Sequence, residues 1–197
     1  MIISAGIAED DMNTAARLYW EAFQGKLGFV MGPKAKGLKF VRRVLRADHA
    51  ICAHDDNGQL LGVAGFKTIK GALVGGDFAD LRATYGFLSA LWRALLLHML
   101  ERDTENDRFL MDGIFVTQSA RGQGVGTALL DAITKTAKDR GYTEVRLDVI
   151  NTNPRARALY ERQGFKAIKT QSLGPLKHIF GFAFATTMVR PVMASFE

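Results

Sequence analysis

The stretch Arg121-Gly122-Gln123-Gly124-Val125-Gly126-Thr127 lies between an apolar run, Ile114-Phe115-Val116, and a strongly patterned helix, and its residue types suit a bound anion. Glycines at alternate positions remove the β-carbons that would hold a phosphate away from the backbone, and the free N–H groups of a helix start point at whatever sits there. Arg121 adds a fixed positive charge with forked donors. The same string also suits a plain strand-to-helix turn with a solvated arginine. Two familiar phosphate motifs are excluded by spacing. The dinucleotide fingerprint needs G-x-G-x-x-G, whereas the glycines here stand at 122, 124 and 126; the P-loop needs a lysine between its last glycine and Ser or Thr, whereas Thr127 follows Gly126 directly.

A second string, Asn153-Pro154-Arg155-Ala156-Arg157-Ala158-Leu159-Tyr160-Glu161-Arg162-Gln163-Gly164-Phe165, has an ordinary local reading. Asn153 caps a helix, Pro154 occupies its first turn without losing a needed donor, and Gly164 ends it. Between the two strings, Thr143 to Ile150 alternates as a strand, with Val145, Leu147 and Val149 on one face and Glu144, Arg146, Asp148 and Ile150 on the other, mostly polar face.

The Arg-x-x-Gly-x-Gly loop after a strand, followed by the Asn153 to Phe165 string, resembles the GNAT superfamily of acyl-CoA-dependent N-acetyltransferases over about residues 110 to 166. The resemblance implies acetyl-CoA as cosubstrate and no metal. It implies that Arg121, Gly122, Gln123, Gly124, Val125, Gly126 and Thr127 hold the pyrophosphate of coenzyme A, and that Ile114, Phe115 and Val116 hydrogen-bond the pantetheine amides through their backbone. One N–H of that strand would polarise the thioester carbonyl. Asn153 and Ala156 would contact the pantetheine arm. Tyr160 would sit beside the thioester sulfur as general acid, although an aromatic at this position could simply pack beside Ala156 and Leu159. For the base, Asp148 stands where some members of the family carry a carboxylate; Asp112 and a chain of waters are alternatives. The implied reaction is direct attack by the primary amine of a small-molecule or peptide acceptor, whose identity stays open. A non-catalytic acyl-CoA-binding or regulatory module would keep the same glycine loop.

The wider composition is compatible with this resemblance. The chain has 197 residues, 48% of them hydrophobic, which suits one domain over residues 1–197. Its formal charge of +6 fits a polyanionic ligand as well as nucleic acid. The small arginine cluster 42/43/46 reads as a solvated helix face and the cluster 155/157/162 as phosphate proximity or solvent, so a nucleic-acid partner is not expected. Cys52 is the only cysteine and lies in an apolar strand pattern; it reads as a buried, inert thiol in a reducing, cytoplasmic compartment. His54, His98 and His178 have no ligand-like spacing. Met1 to Ala5 lacks the start of a signal peptide, and the apolar segment Tyr85 to Leu100 is short for a membrane span and contains Arg93 and His98, so no membrane association is expected. A homodimer is left open.

These residues must be positioned by the rest of the chain. Residues 1 to 7 read as a strand. Asp10 or Asp11 starts a helix with Ala15, Leu18, Tyr19, Ala22 and Phe23 inward, and a second helix covers about Pro33 to Arg46, with Leu38, Val41, Val44 and Leu45 inward. His49 to Asp55 and Gln59 to Lys67 flank the hairpin turn Asp56-Asn57-Gly58. Leu129, Leu130, Ile133 and Ala137 mark the buried stripe of the helix that Gly141 ends. Phe165 to Thr170 and about Lys177 to Arg190 read as the last strands. The expected fold is α/β (α+β): a GNAT-like mixed, mostly antiparallel sheet of about six to seven strands flanked by helices, with an extra helix before the fourth strand. That extra element, about Gly75 to Thr104, carries Leu88, Leu91, Trp92, Leu95, Leu96 and Met99. It reads either as packing against the core or as a wall of the acceptor pocket, with Trp92 then setting selectivity.

Overall fold

The computed structural model describes residues 1–100 and 107–192, apart from the side chain of Leu100. β1 (Ile2–Ala5), α1 (Met12–Met31) and α2 (Lys34–Val44) lead into a hairpin of β2 (Ala50–His54) and β3 (Leu60–Thr68). A short β4 (Gly71–Ala72), α3 (Phe78–Tyr85) and α4 (Phe87–Leu100) precede β5 (Phe109–Val116). The remainder is α5 (Val125–Asp139), β6 (Glu144–Ile150), α6 (Pro154–Arg162), β7 (Lys166–Ser172), the single turn α7 (Lys177–Phe180) and β8 (Phe184–Pro191). The strands form one sheet in the order β1-β2-β3-β5-β6-β8-β7, with β4 paired to β3 as an eighth strand beyond those expected. All neighbours are antiparallel except β5 and β6, which are parallel.

Helices cover both faces of the sheet, which explains why its central strands read as nearly continuous apolar runs. In β2, Cys52 points into a core shared with α1 and α2, while Ile51 and Ala53 point into the core under α5. The α5 stripe of Leu129, Leu130, Ile133 and Ala137 is wholly buried, as its spacing predicts. At the hairpin the Asp55 carboxylate accepts from the backbone N–H groups of Asn57 (2.9 Å) and Gln59 (2.8 Å), while Gly58 takes a φ of +80°. Burial pushes the Cys52 thiol up to about 12, so it is protonated and unreactive.

Two expectations require correction. The single helical element expected over about 75–104 is two helices, because Gly86 takes a φ of +81° and turns the chain between Tyr85 and Phe87; its residues 101–104 lie outside the described residues. The strand expected from Lys177 begins only at Phe184. The buried Phe180 anchors α7 against α1, and Gly181, at φ +69°, reverses the chain before β8 starts.

The helix α4 is oriented against its own polarity. Arg93 points inward, its guanidinium held 4.2 Å from the ring centroids of both Tyr85 and Trp92. It donates to the carbonyls of Gly32 and Ser89, each at 3.2 Å, and to the Ser89 hydroxyl. Gly32 follows the last turn of α1, so this arginine fixes α4 to the end of α1, and the Tyr85 hydroxyl adds a bond of 2.6 Å to the Met31 carbonyl. Removing the guanidinium takes the donor from the part-buried Gly32 carbonyl and the cation from between the Tyr85 and Trp92 rings. Arg93→Ala is therefore expected to cost about 2–3 kcal/mol of stability, measured as a lowered denaturant midpoint with unchanged slope.

Candidate active site

The site begins where two strands part. β5 and β6 pair only at Phe109 with Val145 and Leu110 with Arg146, although β5 continues to Val116 and β6 to Ile150. The divergence coincides with a bulge: Gly65 of β3 faces Gly113 and Phe66 faces Met111, so Asp112 is the extra residue on β5. A bulge bends its strand and re-aims the side chain it carries. Beyond it, the edges of β5 and β6 that face each other form no ladder. Backbone amides there need another partner, which an extended chain bearing its own amides would supply.

At one end of this opening lies a groove of about 580 Å³, lined by Ile114, Phe115 and Val116 of β5, the glycine loop, Asn153, Ala156 and Leu159 of α6, and Leu18, Glu21 and Ala22 of α1. Gly122 and Gly124 have φ of +83° and +82°, and a β-carbon at either would meet open space. The first helical bond of α5 is Ala128 N–H to the Gly124 carbonyl, so the preceding amides of Val125, Gly126 and Thr127 are free of helical partners. Gly126 serves packing, since its β-carbon would lie 3.0 Å from Leu159 Cδ2. Arg121, Arg155 and Arg162 all line the groove. Gln123 folds back, its amide donating to the Ser119 carbonyl at 2.8 Å, and the Val125 side chain is buried beneath α5; neither side chain lines the groove. Asn153 caps α6 through its oxygen, which accepts from Ala156 N–H at 3.1 Å and leaves its amide hydrogens to other partners.

A cleft of about 650 Å³ continues from the groove, sharing Glu21, Ala22, Ile114, Asn153 and Ala156 with it, and brings together Asp112, Asp148 and Tyr160. Tyr160 is buried against Phe165, and desolvation raises its phenol pKa, so it stays protonated. Asp148 accepts from the Thr187 hydroxyl at 2.5 Å and lies 3.7 Å from Arg146. Asp112 is open to the cleft by surface area yet surrounded by protein at longer range; this desolvation raises its pKa against the pull of Lys26, Lys67, the Val74 backbone amide and His49.

A third cavity, of about 530 Å³, meets the cleft at Phe23, Lys26, Lys67 and Asp112. Residues of the α3–α4 segment, Phe78, Leu81, Ala94, Leu97 and His98, line it. Trp92, expected to be the wall residue, lies instead on the outer side against Phe29 and Arg93, because Arg93 turns inward and rotates the helix. Tyr19 and Phe23, whose helical spacing reads as core, line this cavity; periodicity cannot separate a buried face from one that faces a cavity. Lys26 and Lys67 carried no signal in the sequence. Among the described residues, no group of His, Cys, Asp and Glu could hold a metal, and His49 and His54 are each bonded to a neighbouring carboxylate.

This geometry defines the class of protein, and comparison with known proteins agrees. The Acetyltransferase (GNAT) family matches residues 12–165. The chain belongs to that family. It is 43% identical over 68 residues to a mycothiol acetyltransferase of Jonesia denitrificans, covering 32% of this chain and 22% of that protein. It is 35% identical over 54 residues to the thialysine N-epsilon-acetyltransferase of Bos taurus, covering 27% and 32%. The matches thus span about a fifth to a third of these relatives' length. An N-acetyltransferase from Staphylococcus aureus Mu50 shares the fold with a TM-score of 0.65 at 14% identity, over 96% of this chain and 100% of that one. A further acetyltransferase structure has a TM-score of 0.64 at 20% identity, over 98% and 100%. Among the described residues, no helix is long and apolar enough to cross a membrane.

The loop's backbone gives a direct check. Gly124→Ala places a β-carbon on a left-handed residue and is expected to cost about 1–2 kcal/mol of stability. Gly126→Ala needs only a small movement of Leu159 and should cost less; thermal unfolding of the two variants measures the difference.

Proposed function

We propose that this protein transfers the acetyl group of acetyl-CoA to a primary amine by direct attack. The observation that carries this reading is the continuity of three features: an arginine-lined helix start, two strand edges without a ladder, and a cleft holding a buried phenol and a desolvated carboxylate. The pyrophosphate would lie on the amides from Gly124 to Thr127 beside Arg121, with Arg155 and Arg162 at hand for phosphate charge. The pantetheine arm would run between β5 and β6, beside Asn153 and Ala156, and take up the backbone amides that the splay leaves unladdered. Bound acetyl-CoA supplies an activated acyl group and a thiolate leaving group.

Asp112 is the base this reading favours over Asp148. It projects from the bulge into the junction between the cleft and the third cavity, whereas Asp148 is already engaged by Thr187 and Arg146. Its raised pKa brings it nearer to the value that suits a base at neutral pH. The amine gives a proton to Asp112 as its nitrogen bonds the acetyl carbon. A β5 N–H stabilises the developing oxyanion, the carbon–sulfur bond breaks, and Tyr160 gives its proton to the departing sulfur.

Calorimetric titration with acetyl-CoA followed by thiol release with a panel of amines tests this reading. Saturable binding and amine-dependent release are expected; binding without release would leave an acyl-CoA-binding module, and no binding would remove both. Asp112→Asn is expected to lower kcat about 10²- to 10⁴-fold with acetyl-CoA affinity retained. A carboxyl whose pKa is raised by folding binds its proton more tightly in the native state, so it lowers stability as pH rises through the interval between its unfolded and folded values. The Asn variant should therefore melt higher than the native protein at pH 7 and lose that advantage near pH 4, a pattern that a purely structural carboxylate would reverse.

A further inference from the structure

The third cavity has a lining that specifies what kind of amine it accepts. Resting on the acetyltransferase reading above, we propose that the acceptor is a primary amine carried on a ring-sized apolar body, an arylalkylamine or a branched alkylamine, and not a polyamine or an aminoglycoside. The wall is formed chiefly by apolar side chains from α1 to α4, among them Tyr19, Trp20, Phe40, Phe78, Leu81 and Leu97. Its volume, about 530 Å³, falls in the range of small-molecule pockets and would seat one ring with its amine arm. The carboxylates on the lining are Asp77 and Asp112, and Asp77 is committed to capping α3 through the Asp80 amide at 3.0 Å. Lys26 and Lys67 stand on the same lining. A ligand with one ammonium reaches Asp112 at the inner end, where the cavity opens on the cleft; a ligand with several ammoniums brings its further charges against two lysines and an apolar wall.

Thiol release is compared for 2-phenylethylamine, isoamylamine, ethanolamine, spermidine and kanamycin with the 197-residue chain. The two apolar amines are expected to show kcat/KM at least tenfold above the other three. Ala94→Trp, which fills the cavity from α4, is expected to raise KM for 2-phenylethylamine at least tenfold and leave KM for acetyl-CoA unchanged; Ala94→Ser, of similar size, should retain the native preference. A preference for spermidine or kanamycin, or no preference, overturns the assignment of the pocket while leaving acetyl transfer intact. If no amine is turned over, titration of 2-phenylethylamine into the coenzyme A complex decides: binding lost in Ala94→Trp supports the pocket, and absence of binding overturns it.

An independent observation concerns the outer face of α4. Phe87, Leu88, Leu91, Leu95 and Met99 are between 53% and 81% exposed, and Trp92 and Phe29 extend the patch, while the arginine of the helix is turned inward. From these fractions and side-chain areas of about 150–250 Å², the patch amounts to roughly 800 Å², the share each partner contributes to a standard interface. We infer that it is covered by a second copy of this chain. Leu88, Leu91, Leu95 and Met99 recur at the spacing of helix-on-helix packing, and the helix has no acidic residue, so two copies related by a twofold axis meet without burying an unpaired carboxylate.

Sedimentation velocity at about 50 μM protein is expected to give a dimer, and the double variant Leu91→Glu/Leu95→Glu, which touches none of the three cavities, a monomer with native melting behaviour. A monomeric native protein, or a dimer that survives the double substitution, overturns the inference. Native monomer that co-sediments with phosphatidylcholine–phosphatidylglycerol vesicles would also overturn it and give the face to lipid.

Discussion

The parting of β5 from β6 is the constraint on which the rest of the site depends. A parallel pair that stayed in register would satisfy its own amides and leave nowhere for an extended ligand to lie. Here the pair holds only at Phe109–Val145 and Leu110–Arg146, where both strands are clamped in the core under α5. The bulge at Asp112 then bends β5 while β6 follows β8 in unbroken register from Glu144 to Ile150. One extra residue thus does two things: it opens the sheet, and it swings a carboxylate into the opening.

The helix α1 gives the opening a common wall. Leu18, Glu21 and Ala22 face the groove, Ala22, Phe23 and Lys26 the cleft, and Tyr19, Trp20, Phe23 and Lys26 the third cavity. Any tilt of α1 would therefore displace all three compartments together. Its position is secured by the core on its inner side and, at its end, by Arg93 and Tyr85. The charge of the compartments changes along this wall. Arginines surround the groove, carboxylates and lysines share the cleft, and the third cavity is chiefly apolar, an order suited to a ligand that is polyanionic at one end and to a partner that is not.

Much of the scaffold was legible as pattern. The α5 stripe, the alternation of β6, the turn at Asp56-Asn57-Gly58 and the cap at Asn153 are set by residues close to one another in the chain, and local physics decides them. The split of the α3–α4 segment was less legible because one glycine, Gly86, outweighs a continuous apolar pattern on either side. The inward turn of Arg93 was not legible at all. A lone arginine in an apolar helix reads as a solvent-facing charge until the partners that hold it, Tyr85, Trp92 and the Gly32 carbonyl, are brought to it.

The glycine loop and the Asn153 to Phe165 string by themselves pointed to the family and to a left-handed glycine turn ahead of α5, because short strings with particular φ requirements and caps encode their own geometry. Which residues of that loop face the groove was a tertiary matter: Gly122 and Gly124 are open, Gly126 answers to Leu159, and Gln123 folds away. So was the standing of the two carboxylates. Asp112 and Asp148 are equivalent as strand residues, and only the bulge against β3, with Thr187 beside the one and a protein-walled cavity around the other, makes them differ. Desolvation and register arise between elements distant in the chain, and no local pattern carries them.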